Sequence, residues 1–199
     1  MAVQSDRTGI RRFGPTALAT PANVVTIARV LLAIPLFALI YDRGAGWLTW
    51  GGWAVLASSD GLDGWIARRD GTTRSGAYLD PLADKVLTMG GFTVLVTIDL
   101  VWWLPVAIMA TREVGISAYR SFAGRRGVSL PALWSGKAKT FCQLVAVGIP
   151  IWPLTDGYLG LHDALVWLSV ALSVGSGIHI VRRGWVETAS QANGLSEVP

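Results

Sequence analysis

The sequence predicts an all-α, polytopic integral membrane protein with six transmembrane helices and both termini in the cytosol. Three observations predict it. Hydrophobic residues make up 52% of the chain and charged residues only 15%, with a mean hydropathy of +0.46. Soluble domains carry roughly 25% charge, so this deficit points to lipid as the solvent. Six apolar stretches each approach the ~20 residues a helix needs to cross a bilayer. Finally, of the 17 Lys and Arg residues, all but Arg43 fall on one side of the topology those stretches define, as the positive-inside rule requires of the cytosolic side.

In chain order, Met1 to Ala19 lacks the apolar run of a cleavable signal peptide. Its Arg7, Arg11 and Arg12 read residues 1–20 as a cytosolic segment lying against anionic headgroups. Span one is expected at Pro21–Tyr41, with Thr20 as N-cap and Pro21 in the first helical position. Spans two to six are expected at Trp47–Ala67, Asp80–Leu100, Trp102–Tyr119, Gly136–Leu154 and Ala164–Val181. The membrane domain closes at residue 185, and 186–199, polar and small, reads as a disordered cytosolic tail. The external loops carry Asp42, Asp99, Asp156 and Asp163. Of ten tryptophans, Trp47, Trp50, Trp102, Trp103, Trp134, Trp152 and Trp185 lie near span ends and read as interface anchors. The single Cys142 excludes an intrachain disulfide and reads as packing. His162 falls in an external loop and reads as solvated, and His179 has no ligand spacing to another His or Cys. The net charge of +4 is a one-sided basic surface facing anionic lipid and phosphorylated substrates, not a nucleic-acid patch. No nucleophile motif, Walker loop or zinc pattern is present.

Within this charge-poor chain, four carboxylates stand at fixed offsets. Asp60 and Asp63 are three apart and Asp80 and Asp84 four apart, so each pair shares a helix face. Asp80 is expected as an N-cap and Pro81 as the first residue of the helix that follows. The short polar turn Arg69–Ser75 joins the two halves and aims four carboxylates at one point. Like charges so placed repel unless a cation sits among them, and all-oxygen ligands suit Mg²⁺ or Mn²⁺.

These residues spell D-x-x-D-G-x-x-A-R, a short gap, then G-x-x-x-D-x-x-x-D, filled by Asp60, Asp63, Gly64, Ala67, Arg68, Gly76, Asp80 and Asp84. The pattern resembles the signature of the CDP-alcohol phosphotransferase family. The resemblance implies transfer from a CDP-linked lipid or alcohol to an acceptor hydroxyl, with CMP leaving. Asp60, Asp63 and Asp80 are then the main metal ligands of a site with two ions. Asp84 completes it as general base, as ligand, or as both; chemistry alone leaves that open. Gly64, Ala67, Arg68 and Gly76 are expected to bind CDP, although the glycines also suit close helix packing and Arg68 also suits headgroup anchoring. On span one, Asn23, Thr26 and Arg29 share a face and are further candidates for CDP binding. Arg29 lies inside an apolar run, where an ionised group is costly; contact with the diphosphate and pairing with one of the aspartates both remain open.

Further along, R-E-x-x-x-S-x-x-R (from Arg112) and G-K-x-K-T-x-x-Q (from Gly136) resemble the phosphatidylglycerolphosphate synthases and cardiolipin synthases of that family. Arg112, Arg120, Lys137 and Lys139 form a cationic set that suits an acceptor phosphate; basic residues here also suit positive-inside anchoring, and pairing of Arg112 with Glu113 or an aspartate remains open. The expected reaction joins CDP-diacylglycerol to glycerol 3-phosphate at the cytosolic face of a plasma membrane. The alternatives are phosphatidylglycerol as acceptor, which would make the chain a cardiolipin synthase, and inositol 1-phosphate. The resemblance also implies a homodimer. From another class, a divalent-cation transporter fits intramembrane carboxylates. It is disfavoured because no ionisable residue continues the path across spans two and three.

Overall fold

The computed structural model describes residues 21–70, 74–125, 134–154 and 159–192, excepting the side chains of 21–22, 60–78, 80, 125, 134–137, 159 and 187–192. Among the described residues the chain forms six α-helices: α1 (Pro21–Arg43), α2 (Trp47–Asp70), α3 (Arg74–Thr97), α4 (Trp103–Arg125), α5 (Trp134–Gly148) and α6 (Leu159–Ala192). They fall into two compact units, Met1–Val94 with Ile151–Pro153, and Leu95–Pro150 with Leu154–Pro199.

In the first unit α1 packs on α2. Ala33, Leu36 and Ile40 turn one stripe of α1 inward, against a core that includes Trp53 and Leu56 of α2. Glycine decides how closely these helices approach. A Cβ on Gly52 would lie 2.8 Å from Leu36 Cδ1, and one on Gly90 of α3 would lie 2.5 Å from Phe37 Cε2. Gly44 ends α1 at φ +66°, donating its N–H to Ile40 O at 2.8 Å, the left-handed cap that glycine adopts without strain. The Thr49 hydroxyl then reaches the carbonyls of Gly44 and Gly46, each at 3.0 Å. Gly46 N–H bonds Ile151 O at 3.0 Å, and Trp152 stacks on Trp50 with ring centres 6.2 Å apart.

In the second unit α4 and α5 both pack on α6. Its entry turn places Asp99 at φ +58°, and Leu100 N–H closes onto Leu95 O at 2.9 Å. Short Asx side chains tolerate this conformation and β-branched ones do not. Asp99→Val is therefore expected to cost about 1–2 kcal/mol, and Asp99→Gly to be tolerated. Denaturation of the purified variants in detergent checks the order.

Two helices reverse the usual polarity of a soluble fold. On α1, Asn23, Thr26 and Arg29 are buried while Leu31, Leu32 and Ile34 are exposed. On α6, Ser169, Ser173 and Ser176 are buried while Leu168, Leu172 and Ile178 are exposed. Polar groups inside and aliphatic groups outside is the arrangement lipid stabilises. Among the described residues, these helices contain the two stretches, Asn23–Arg43 and Gly160–Val186, that are long and apolar enough to cross a membrane.

Several expected boundaries move. Helix α3 starts at Arg74, so Asp80 is not an N-cap and Pro81 lies inside the helix. Proline there removes one backbone bond, but unwinding the turn would break several more. The link between α2 and α3 accordingly shrinks from Arg69–Ser75 to residues 71–73. Helix α5 has 15 residues and stops short of Leu154, with Pro150 and Pro153 following. Helix α6 has 34 residues and overruns its prediction at both ends. It takes up His162 and Asp163, so His162 is a buried helical residue, 6% exposed, rather than a solvated loop residue. It also continues through Ala192 into the stretch expected to be disordered, because Glu187–Ala192 contains no breaker and a formed helix extends at low cost. Thr20 and the segments 1–20 and 193–199 lie outside the described residues.

Candidate active site

Both halves of the aspartate motif lie on helices. Asp60, Asp63, Gly64, Ala67 and Arg68 occupy the C-terminal part of α2, and Gly76, Asp80 and Asp84 the N-terminal half of α3. The 71–73 link keeps the two helix ends within about 15 Å, the reach of four Cα–Cα steps. Of these residues only Asp84 has a described side chain; the side chains of Asp60, Asp63, Ala67, Arg68 and Asp80, and the surroundings of Gly64 and Gly76, lie outside the described residues.

What joins the two halves is Arg29, from α1. Its guanidinium is 2% exposed at the residue level. Nε donates to Ser59 Oγ at 2.9 Å, and Nη1 lies 3.6 Å from Asp84 Oδ1. Ser59 immediately precedes Asp60 in the chain, and its own hydroxyl donates to Leu56 O at 2.7 Å. One cation thus touches α2 beside its first motif aspartate and α3 at its last. A buried guanidinium persists in apolar surroundings only when paired, so Arg29 serves as the structural tie between the two halves. Asp84 keeps about a third of its side chain exposed. Asn23 and Thr26 lie on the same face of α1 and are each 1% exposed.

The donor chemistry of the motif fits a hard divalent cation: four carboxylates at spacings of three and four residues on two consecutive helices. Among the described residues, no group of three or more His, Cys, Asp and Glu side chains is placed to hold a metal ion.

In the second unit two cations of the sequence reading, Arg112 and Lys139, meet at one carboxylate. Arg112 Nη1 donates to Glu113 Oε1 at 2.8 Å, and Lys139 Nζ of α5 pairs with the same oxygen. Arg112 Nη2 donates to Ser176 Oγ of α6 at 2.8 Å. Glu113 and Lys139 are each 8% exposed. Gln143, one turn after Lys139, bonds Met109 Sδ at 3.3 Å through Nε2. Arg120 lies two turns beyond Arg112 on α4, with Nε buried and lacking a hydrogen-bond partner. Lys137 is on α5, and its side chain lies outside the described residues.

Sequence reasoning treated Glu113 only as a possible partner of Arg112 and passed over Ser59 and Ser176. The signal for Glu113 was present: a carboxylate inside an apolar run needs a counter-charge. Neither serine carried any signal, since its role depends on which helix packs beside it.

Comparison with known proteins agrees with the motif. The family model for CDP-alcohol phosphatidyltransferase matches residues 19–175. A probable phosphatidylglycerophosphate synthase of Mycobacterium tuberculosis is 39% identical over 180 residues, covering 85% of this chain and 84% of that protein. A CDP-diacylglycerol–glycerol-3-phosphate 3-phosphatidyltransferase of Shigella flexneri is 36% identical over 164 residues, 77% of this chain and 88% of that protein. The protein of the same description from Escherichia coli K12 is 38% identical over 138 residues, 65% of this chain and 75% of that protein. With all eight motif positions filled, both motif halves on consecutive helices and the family model spanning most of its length, the chain is a membrane-associated transferase belonging to the CDP-alcohol phosphatidyltransferase family.

Proposed function

We propose that this transferase moves a phosphatidyl group from CDP-diacylglycerol to glycerol 3-phosphate, giving phosphatidylglycerolphosphate and CMP. The observation that carries the acceptor assignment is the meeting of two cations at Glu113. Arg112 and Lys139 share a single carboxylate oxygen, and a pair of cations held together in this way suits a phosphate monoester through charge-assisted hydrogen bonds. The relatives at 36–39% identity, named for glycerol 3-phosphate as acceptor or for phosphatidylglycerophosphate as product, point to the same acceptor. Arg120 and Lys137 complete the proposed acceptor set.

The acceptor hydroxyl attacks the β-phosphorus, the bond from that phosphorus to the bridging oxygen breaks, and CMP departs with the bond's electron pair. Transfers of this kind demand in-line positioning and neutralisation of spreading charge more than covalent help. Asp60, Asp63, Asp80 and Asp84 would hold one or two Mg²⁺ or Mn²⁺ ions, which neutralise the phosphoryl oxygens and acidify the attacking hydroxyl. Asp84, with about a third of its side chain exposed, is the carboxylate assigned to take the hydroxyl proton, and Arg29 lies beside it. Gly64, Ala67, Arg68 and Gly76, with Asn23, Thr26 and Arg29, are assigned to CDP. A direct displacement is favoured, because every candidate nucleophile is also a needed ligand.

In this reading all six helices span a plasma membrane, with both termini and the aspartate motif on the cytosolic side. The one-sided distribution of Lys and Arg supports it. The homodimer implied by the family resemblance belongs to the same reading, and light scattering of the detergent complex measures it.

The test is CMP release from CDP-diacylglycerol by purified protein with Mg²⁺. Release is expected to depend on glycerol 3-phosphate. Release triggered only by phosphatidylglycerol or inositol 1-phosphate would replace the acceptor, and cation flux into proteoliposomes without CDP-lipid would favour a transporter.

A further inference from the structure

Helices α4 and α6 enclose a groove of about 810 Å³. Its walls are aliphatic, with Ile108 and Ile116 from α4 and Val174, Ile178 and Val181 from α6. Two cations, Arg112 and Arg182, line it and no carboxylate does. Tyr119 and Trp185 stand at the Arg182 end. That end coincides with the close of the apolar stretch Gly160–Val186, and Arg, Tyr and Trp are the residues that mark a bilayer interface. Val174 lies eight residues earlier, about 12 Å deeper along the helix axis. The groove therefore runs from the interface into the apolar layer. It is also open: a Cβ on Gly115 would meet no heavy atom within 4 Å.

We propose that this groove is a binding site for an anionic phospholipid of the surrounding bilayer. One acyl chain lies along the aliphatic walls, and the phosphate sits at the Arg182 end. The graded chemistry matches one lipid molecule, apolar along its depth and cationic and aromatic at its mouth. A second copy of this chain is the poorer occupant. A two-fold contact places the same patch against itself, which would set Arg182 against its own counterpart with no carboxylate in the lining to offset it.

Native mass spectrometry of the full-length protein tests this, with CDP-dioleoylglycerol saturating the donor site and dioleoylphosphatidylserine or dioleoylphosphatidylcholine added. Wild-type protein is expected to retain one phosphatidylserine at least tenfold more than phosphatidylcholine. Gly115→Leu, which fills the groove from an open position and favours the helix, is expected to lower that retention at least tenfold. Arg182→Gln is expected to abolish the preference between the two lipids. If Gly115→Leu fails to give wild-type circular dichroism, Ile178→Trp fills the same groove from the other wall. Equal retention of both lipids by the wild type, or unchanged retention in the filled variant, would overturn the proposal. Conversion of a dimer to a monomer by the filling variant, with lipid retention unaltered, would hand the groove to a second copy.

Discussion

Asp60→Asn, Asp63→Asn and Asp80→Asn are each expected to lower CMP release by at least ~10³-fold while leaving the protein folded. The magnitude follows from what the charges do. Phosphoryl transfer is catalysed by positioning and by electrostatic stabilisation, and removing one such element typically costs 10²- to 10⁵-fold. Asparagine keeps the shape and one oxygen donor but removes the charge that holds a divalent cation. The backbone around these positions is helical in α2 and α3, and asparagine costs a helix about as much as aspartate does. Unchanged helical circular dichroism alongside lost turnover is thus the predicted pair of results. Chelation of wild-type protein should reproduce the loss, and Mg²⁺ or Mn²⁺ should reverse it. Wild-type rates in any one of the three variants would remove that residue from the proposed metal site.

The largest expected effect on stability belongs to Glu113→Ala. It would leave Arg112 and Lys139, with side chains only 12% and 10% exposed, as neighbouring like charges with no carboxylate between them. Breaking a buried pair by removing one partner costs about 3–5 kcal/mol, most of it the penalty of the charge left behind. Chemical denaturation in detergent measures this directly. The double variant Glu113→Ala with Lys139→Met separates the causes, because it removes the stranded ammonium along with the carboxylate. Recovery of more than about half of the loss is expected if the cost is electrostatic, and the double-mutant cycle gives the coupling. No recovery would mean that Glu113 stabilises α4 by packing alone. Both variants should also raise the KM for glycerol 3-phosphate, since they disturb the cations proposed to hold its phosphate.

The contrast between these two predictions shows where the information lay. The aspartate motif was legible as a family pattern because it is written in local spacing: offsets of three and four residues mean one face of a helix wherever that helix packs. The six helices were legible for a similar reason, since the length and apolarity of each stretch are properties of the stretch itself. Glu113 was only half legible. Its neighbour Arg112 stands beside it in the sequence, but Lys139 is 26 residues away and Ser176 pairs with Arg112 across 64. Which cation and which hydroxyl arrive depends on how α5 and α6 pack.

Arg29 makes the same point. Its position in an apolar run marked it as functional or paired, and the two readings could not be separated without knowing what lay opposite. The packing of α1 puts Ser59 and Asp84 beside Arg29, and contact with the diphosphate stays with the proposed function. His162 and Pro81 went against local expectation, because each was judged by its own preference, solvation for one and helix initiation for the other. In the fold both lie inside helices that run past their expected starts, because a formed helix extends at low cost. The sequence by itself determined the solvent, the number of helices and the carboxylates that define the family. The tertiary structure alone decided the partners of the buried charges, the helix ends and the groove between α4 and α6, because a buried charge or an open wall is a property of neighbouring elements and not of any one segment.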